Sequence, residues 1–322
     1  MSNKHLLAPV GLAALLTSLL AALPAQAYQK VVVFGDSLSD NGNLLALTTP
    51  LAPAILPVAL PQAPYWQGRF SNGAAAVEHL AAGLGATMDN RAVGGASTGT
   101  DNNQVPPLPS LIPTGLLSQV GSFVSEGAAD AAALYVVWAG PNDFLNPSSP
   151  DLAAVAAQAI TNLNTAVGAL YGAGARHFLL PMLPDLGLTP RSLAQPGLPP
   201  LLSALTDGFN LQLSASYLQL QQMLPGAHFT LFDTAGAQRT LVSNAAQLGF
   251  SNVSTACFSG FVGVPGTVCA DPGSHFYWDD IHPTARVHEL LGQQMLAAVP
   301  EPSTYGLMAL GLLGIALRRR RA

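Results

Sequence analysis

Positive charge and cysteine are both scarce in this 322-residue sequence, and each shortage closes off a class of function. Lysine and arginine together number 12 against 17 acidic residues. Lys4 and Arg318 to Arg321 fall in two end segments, so residues 28–302 keep seven basic and seventeen acidic residues and a formal charge of −10. Phosphate contacts need a basic surface, and nucleic acid is therefore not an expected partner. The two cysteines, Cys257 and Cys269, stand in a Gly/Ser/Val-rich stretch with His275 as the sole neighbouring histidine. These are too few donors for a structural metal site, whereas in an exported chain the pair favours a disulfide. No repeat of fixed period and no internal linker is present. A hydrophobic content of 49% excludes a disordered chain. Without its ends the chain keeps about 275 residues, enough for one large α/β domain.

The ends read as addresses rather than as parts of the fold. Residues 1–27 place Lys4 before an apolar stretch around Leu6 to Leu23 and close on Ala25-Gln26-Ala27. This small-x-small close has the form of a signal-peptidase site, and export with cleavage after Ala27 is expected. Residues 299–322 run Val299-Pro300-Glu301-Pro302-Ser303-Thr304, then an apolar segment from Tyr305 to Leu317, then Arg318 to Arg321. As a helix that apolar segment reaches only about 20 Å, short of a roughly 30 Å hydrocarbon core. Membrane association through it is expected to be transient, with the arginines on the cytoplasmic side. The three parts resemble a PEP-CTERM tail. The resemblance implies exosortase-type sorting machinery as a partner and delivery to the surface or exterior of a Gram-negative bacterium, after transient inner-membrane anchoring.

Between the ends, apolar runs alternate with helix-forming segments. Strands are expected at Val31 to Phe34, Ala86 to Val93, Ala132 to Trp138, Arg176 to Leu183 and Phe229 to Phe232. Helices are expected at Ala74 to Leu84, Leu116 to Glu126, Asp151 to Gly172, Leu201 to Leu224 and Pro283 to Ala298. Such alternation predicts a three-layer α/β/α sandwich around a central parallel sheet. Prolines 50, 53, 57, 61 and 64 forbid a helix before Tyr65. That stretch is expected to be an extended surface flap whose apolar residues line a substrate groove.

Chemistry gathers at the carboxyl ends of strands in such sheets. Four strand ends carry glycine with Ser, Asn or Asp, at Gly35, Gly94, Gly140 and Asp185 with Gly187. The first, Gly35-Asp36-Ser37-Leu38, delivers a serine into a tight turn. A serine is a weak nucleophile until a base acts on it. The expected base is His282 in Asp279-Asp280-Ile281-His282-Pro283, because a residue before proline is held extended, which exposes its ring. Asp279 is placed to accept from His282 Nδ1 and leave Nε2 for the Ser37 proton. Backbone N–H groups at Ser37 and in the Gly94-Gly95 turn, with the Asn142 side chain, are the donor types an oxyanion needs. Asp36 and Asp143 read as turn-fixing residues, Trp278 as core, and His79, His177, His228, His275 and His288 as packing or surface residues.

The four blocks in this order resemble the SGNH or GDSL hydrolase family, across nearly all of residues 31–298. Arg69-Phe70-Ser71-Asn72-Gly73 adds a likeness to its lipase and phospholipase branch. The resemblance implies a flavodoxin-like fold for residues 28–298, with Ser37 as nucleophile, His282 as base and Asp279 as acid, Asp280 being the alternative. It assigns the oxyanion glycine to Gly95, with Gly94 as the alternative, and the oxyanion amide to Asn142. It further implies an ester or lipid substrate and no cofactor or metal. Acyl transfer through the same acyl-enzyme is the alternative chemistry. A non-catalytic surface or biofilm-matrix protein on the same scaffold is the alternative of another class.

Overall fold

Five short apolar runs, β1 (Lys30–Gly35), β2 (Thr87–Asn90), β3 (Leu134–Trp138), β4 (His177–Pro181) and β5 (His228–Phe232), make one parallel sheet in the order β2-β1-β3-β4-β5. β3 is buried at all five positions and β1 from Val31 to Gly35, as central strands covered on both faces must be. Each of Val31 to Phe34 removed from water contributes about 1.5–3 kcal/mol. The order reverses direction between β1 and β3, and in doubly wound sheets ligands bind in the crevice outside that switch point.

The computed structural model describes residues 28–102 and 113–300, and residues 29–299 form one unit. The signal-peptide reading of residues 1–27 and the tail from residue 301 lie outside the described residues, as does most of the loop from Asp101 to Pro113. The α-helices are α1 (Asn43–Thr48), α2 (Ala76–Leu84), α3 (Leu116–Ser125), α4 (Pro141–Leu145), α5 (Leu152–Ala173), α6 (Pro190–Leu193), α7 (Leu198–Met223), α8 (Thr234–Ser243) and α9 (Ala285–Ala298). Val32, Phe34, Tyr135, Val137, Phe178 and Leu180 face α3, α5 and α7 in the main core. α2 and α9 pack together against the sheet. α5 starts where its sequence signal stands, the Asp151 carboxylate accepting from the N–H groups of Ala153 and Ala154 at 3.1 Å, a cap that stabilises by about 1 kcal/mol. No described helix is long and apolar enough to cross a membrane.

The proline-rich stretch departs from the expected flap. Leu56 and Leu60 turn inward onto Leu44, Phe70 and Val93 as a small core of their own. Thr48 Oγ1 fixes the turn by accepting from Leu60 N–H at 2.8 Å and donating to Leu60 O at 3.1 Å. Prolines that break the chain into tight bends bring these leucines to each other, and none of residues 50–64 lines the pocket beside Ser37.

A second, two-stranded parallel sheet pairs β6 (Asn252–Ala256) with β7 (His275–Tyr277). A disulfide joins Cys257 to Cys269, twelve positions apart. His275 Nδ1 stands 3.6 Å from Cys269 Sγ, but sulfurs bonded to each other are not thiolate donors. Closing a loop of this length contributes about 3 kcal/mol in the chain-entropy model. Reduction with dithiothreitol is expected to lower the melting temperature of the purified protein by several degrees, read by differential scanning fluorimetry; an unchanged melting curve would show that the bond does not restrain the loop.

Candidate active site

The turn after β1 is built by glycine and a buried amide. A Cβ on Gly35 would lie 2.2 Å from Trp138 O, so only glycine lets β1 and β3 run side by side there. The Gln119 side chain donates to Gly35 O at 2.8 Å and accepts from Gly35 N–H at 2.9 Å. Asp36 Oδ1 accepts from Leu38 N–H at 3.0 Å, and Ser39 and Asp40 donate back to Asp36 O. Ser37 is left at the tip. Burial pushes the Asp36 carboxyl up to about 7, against the Leu38 hydrogen bond and the charge of His282.

Asp40 ties this turn to the next. Its carboxylate accepts from Gly42, Asn43, Leu44 and Gly94 N–H groups at 2.7–3.1 Å, while burial still raises it to about 6. The Gly94 N–H is thereby engaged, whereas Gly95 N–H, at φ +83°, has no hydrogen-bond partner among the described residues. Phe70 lies so close over Gly94 that a Cβ there would meet its ring at 2.0 Å. Asn142, in the first turn of α4 after β3, donates to Ala96 O at 3.0 Å and is drawn to the same corner. Asp143 holds Thr98 through its N–H and hydroxyl.

His282 Nε2 lies 2.8 Å from Ser37 Oγ, and its Nδ1 lies 2.7 Å from Asp279 Oδ2. The ring is not exposed, as expected from the proline after it, but buried to 3% exposure. Phe70 and Phe261 cover it, at centroid distances of 5.2 and 6.1 Å. Asp279 Oδ1 accepts the N–H groups of Ile281 and His282 at 2.9 and 2.7 Å, and Oδ2 also accepts the Tyr65 hydroxyl at 2.6 Å. Burial pushes the Asp279 carboxyl up, but the charge of His282 and the hydrogen bonds outweigh it and hold the group below the usual range. An ionised carboxylate only accepts, so Nδ1 carries the ring proton and Nε2 is the free base. Asp280, the alternative acid, turns away and pairs with Arg191 at 2.8 Å.

Three further contributors complete the surroundings, one from a block the sequence marked without a role and two, Phe261 and Tyr65, with no local signature. Ser71 Oγ donates to Pro283 O at 2.9 Å and Asn72 Oδ1 accepts from Ala285 N–H at 2.8 Å, so the Arg69-to-Gly73 block clamps the histidine segment. Phe261 arrives from inside the disulfide loop, and Tyr65 from the end of the proline-rich stretch. His288 is buried on α9 and accepts from Ala76 N–H at 3.2 Å; burial and nearby histidine charge push it down to about 3, so it remains neutral packing.

A narrow cleft opens beside Ser37, His282 and Asn142. Its walls are largely apolar, from Leu38, Trp138, Pro141, Leu145, Leu186, Ile281 and Val287 among others. A serine hydroxyl hydrogen-bonded to a histidine, the Gly95 N–H beside it and an apolar cleft are parts that attack on the carbonyl of an acyl group would require.

Residues 31–295 match the family model for GDSL-like Lipase/Acylhydrolase, and residues 298–321 match the PEP-CTERM protein-sorting motif. The chain is 29% identical over 297 residues to the thermolabile hemolysin of Vibrio parahaemolyticus, covering 86% of this chain and 65% of the hemolysin's own length. It is 27% identical over 260 residues to the phosphatidylcholine-sterol acyltransferase of Aeromonas hydrophila, covering 80% and 73%. Among solved structures, a member of the lipolytic protein G-D-S-L family from Veillonella parvula superposes with a TM-score of 0.45 at 14% identity, covering 83% of this chain and 96% of that one.

Proposed function

The chain belongs to the GDSL-like lipase/acylhydrolase family, and we propose that it is an exported serine ester hydrolase acting through Ser37, His282 and Asp279. The reading rests on the unbroken hydrogen-bond chain from Ser37 Oγ through both ring nitrogens of His282 to Asp279 Oδ2. Ser37 Oγ attacks the ester carbonyl carbon while His282 Nε2 takes its proton. The Ser37 and Gly95 N–H groups and the Asn142 amide receive the oxyanion. As the carbon–oxygen bond breaks, His282 returns the proton to the departing alcohol. A water then attacks the acyl-enzyme by the same route, releasing the acid and restoring the serine. The apolar pocket favours an acyl chain as the group retained on Ser37.

In this reading residues 28–298 are the hydrolase domain between a signal peptide, 1–27, and a sorting segment, 299–322. The PEP-CTERM motif supports export and surface delivery by exosortase-type machinery.

Hydrolysis of short-chain p-nitrophenyl esters by the secreted protein tests the proposal. Asn142→Ala is expected to lower kcat by about 10²–10³ with little change in KM, the usual result of removing one oxyanion donor; an unchanged kcat would remove Asn142 from the mechanism. The acyltransferase relative motivates a second reading, in which an alcohol rather than water resolves the acyl-enzyme. Product analysis with glycerol or a sterol as acceptor separates the two: a new ester supports transfer, and free acid alone supports hydrolysis.

A further inference from the structure

Asp279 has a third partner that neither the four motif blocks nor the reaction scheme requires. The Tyr65 hydroxyl donates to Asp279 Oδ2 at 2.6 Å, on the same oxygen that receives His282 Nδ1. With the two backbone N–H groups on Oδ1, the carboxylate has four donors and no exposed edge. Nothing local to Tyr65 predicts this, since 214 positions separate the two residues.

The phenol is held firmly. Tyr65 is buried in a cluster with Cys257, Phe258 and Trp278. Phe258 and Trp278 meet its ring edge-on, at centroid distances of 5.6 and 6.5 Å. Phe258 is itself fixed by donating to Trp278 O at 2.6 Å, next to the disulfide. Burial first, and then the Asp279 charge, push the phenol far above its ordinary range, so it stays a donor at every working pH.

From this geometry we propose that Tyr65 is a positioning residue of the reaction, fixing the plane of Asp279 and sharing its negative charge so that His282 stays an unprotonated base at lower pH. The proposal rests on the hydrolase reading above. A carboxylate that gives part of its charge to a phenol holds the ring proton and charge of a protonated His282 less tightly. Without the phenol, Asp279 would favour protonated His282 more strongly and its plane would be fixed only by the backbone. The other ionisable groups facing this chain are Asp36 on the Ser37 turn, His288 on α9, and the paired Asp280 and Arg191 near the Tyr65 ring. All four remain in place when the hydroxyl alone is removed.

Tyr65→Phe tests this in the full secreted protein, with kcat and KM for a p-nitrophenyl ester measured between pH 5 and 9. The expected result is a plateau kcat lower by about tenfold, the loss of one charge-assisted hydrogen bond. KM should stay within about twofold, and the acid limb of kcat/KM should move up by about one pH unit. A profile superimposable on the parent's would overturn the proposal and leave Tyr65 as packing. Trp66→Ala, a half-exposed neighbour on the same loop, reports general loop damage: if it reproduces both the loss and the pH shift, the hydroxyl is not responsible and the proposal fails. Ser37→Ala, run beside them, separates the two levels. Activity persisting in Ser37→Ala refutes the hydrolase reading itself, whereas activity lost there with an unchanged Tyr65→Phe profile refutes only the role of Tyr65.

Discussion

Ser37→Ala is expected to lower kcat by about 10⁶-fold, the scale seen when a serine nucleophile is removed from a working triad. Ser37 is the side chain whose oxygen meets the free nitrogen of His282, at 2.8 Å. The substitution removes one hydrogen bond and no buried apolar surface, so stability should change by no more than about 1 kcal/mol. Chevron or thermal data therefore separate a chemical loss from an unfolded protein. Residual kcat within tenfold of the parent would show that another residue is the nucleophile.

Asp279→Asn is expected to lower kcat by about 10⁴-fold while leaving the fold in place. The direction follows from the donors around the carboxylate. Ile281 and His282 N–H groups converge on Oδ1, so an asparagine must present its oxygen there. Its NH₂ then takes the place of Oδ2 and points at His282 Nδ1. Nδ1 becomes an acceptor, the ring proton moves to Nε2, and the nitrogen facing Ser37 can no longer take a proton. Asp280→Asn makes the contrast, since it breaks only the half-exposed pair with Arg191 and should leave kcat within about threefold. Equal losses in the two variants would refute the assignment of the acid to Asp279.

The parallel sheet was legible because its buried strands are short unbroken apolar runs, Val31 to Phe34 most plainly, and because glycine with Ser or Asn marks the strand ends. α8 and the β6/β7 pair were missed. α8 carries few apolar residues to set a periodicity, and β6 is half-exposed with serine and threonine among its five positions. The residues brought together after β1 and β3 and before α9 are those the motif blocks marked. The surroundings were not legible, because they are made by contacts across the whole chain. Ser71 reaches Pro283 over 212 positions and Tyr65 reaches Asp279 over 214. The restriction on a residue before proline predicts extended backbone at His282 but says nothing of Phe70 and Phe261, which cover its ring. Likewise the leucines of the proline-rich stretch carried no sign that they would pack on each other rather than line a groove.

The most direct test is covalent labelling of the folded protein by a fluorophosphonate, followed by peptide mapping. The account predicts one adduct, on the peptide bearing Ser37, absent in Ser37→Ala and formed far more slowly in His282→Ala. An adduct on a different residue, or none in protein whose melting curve shows it folded, would contradict it.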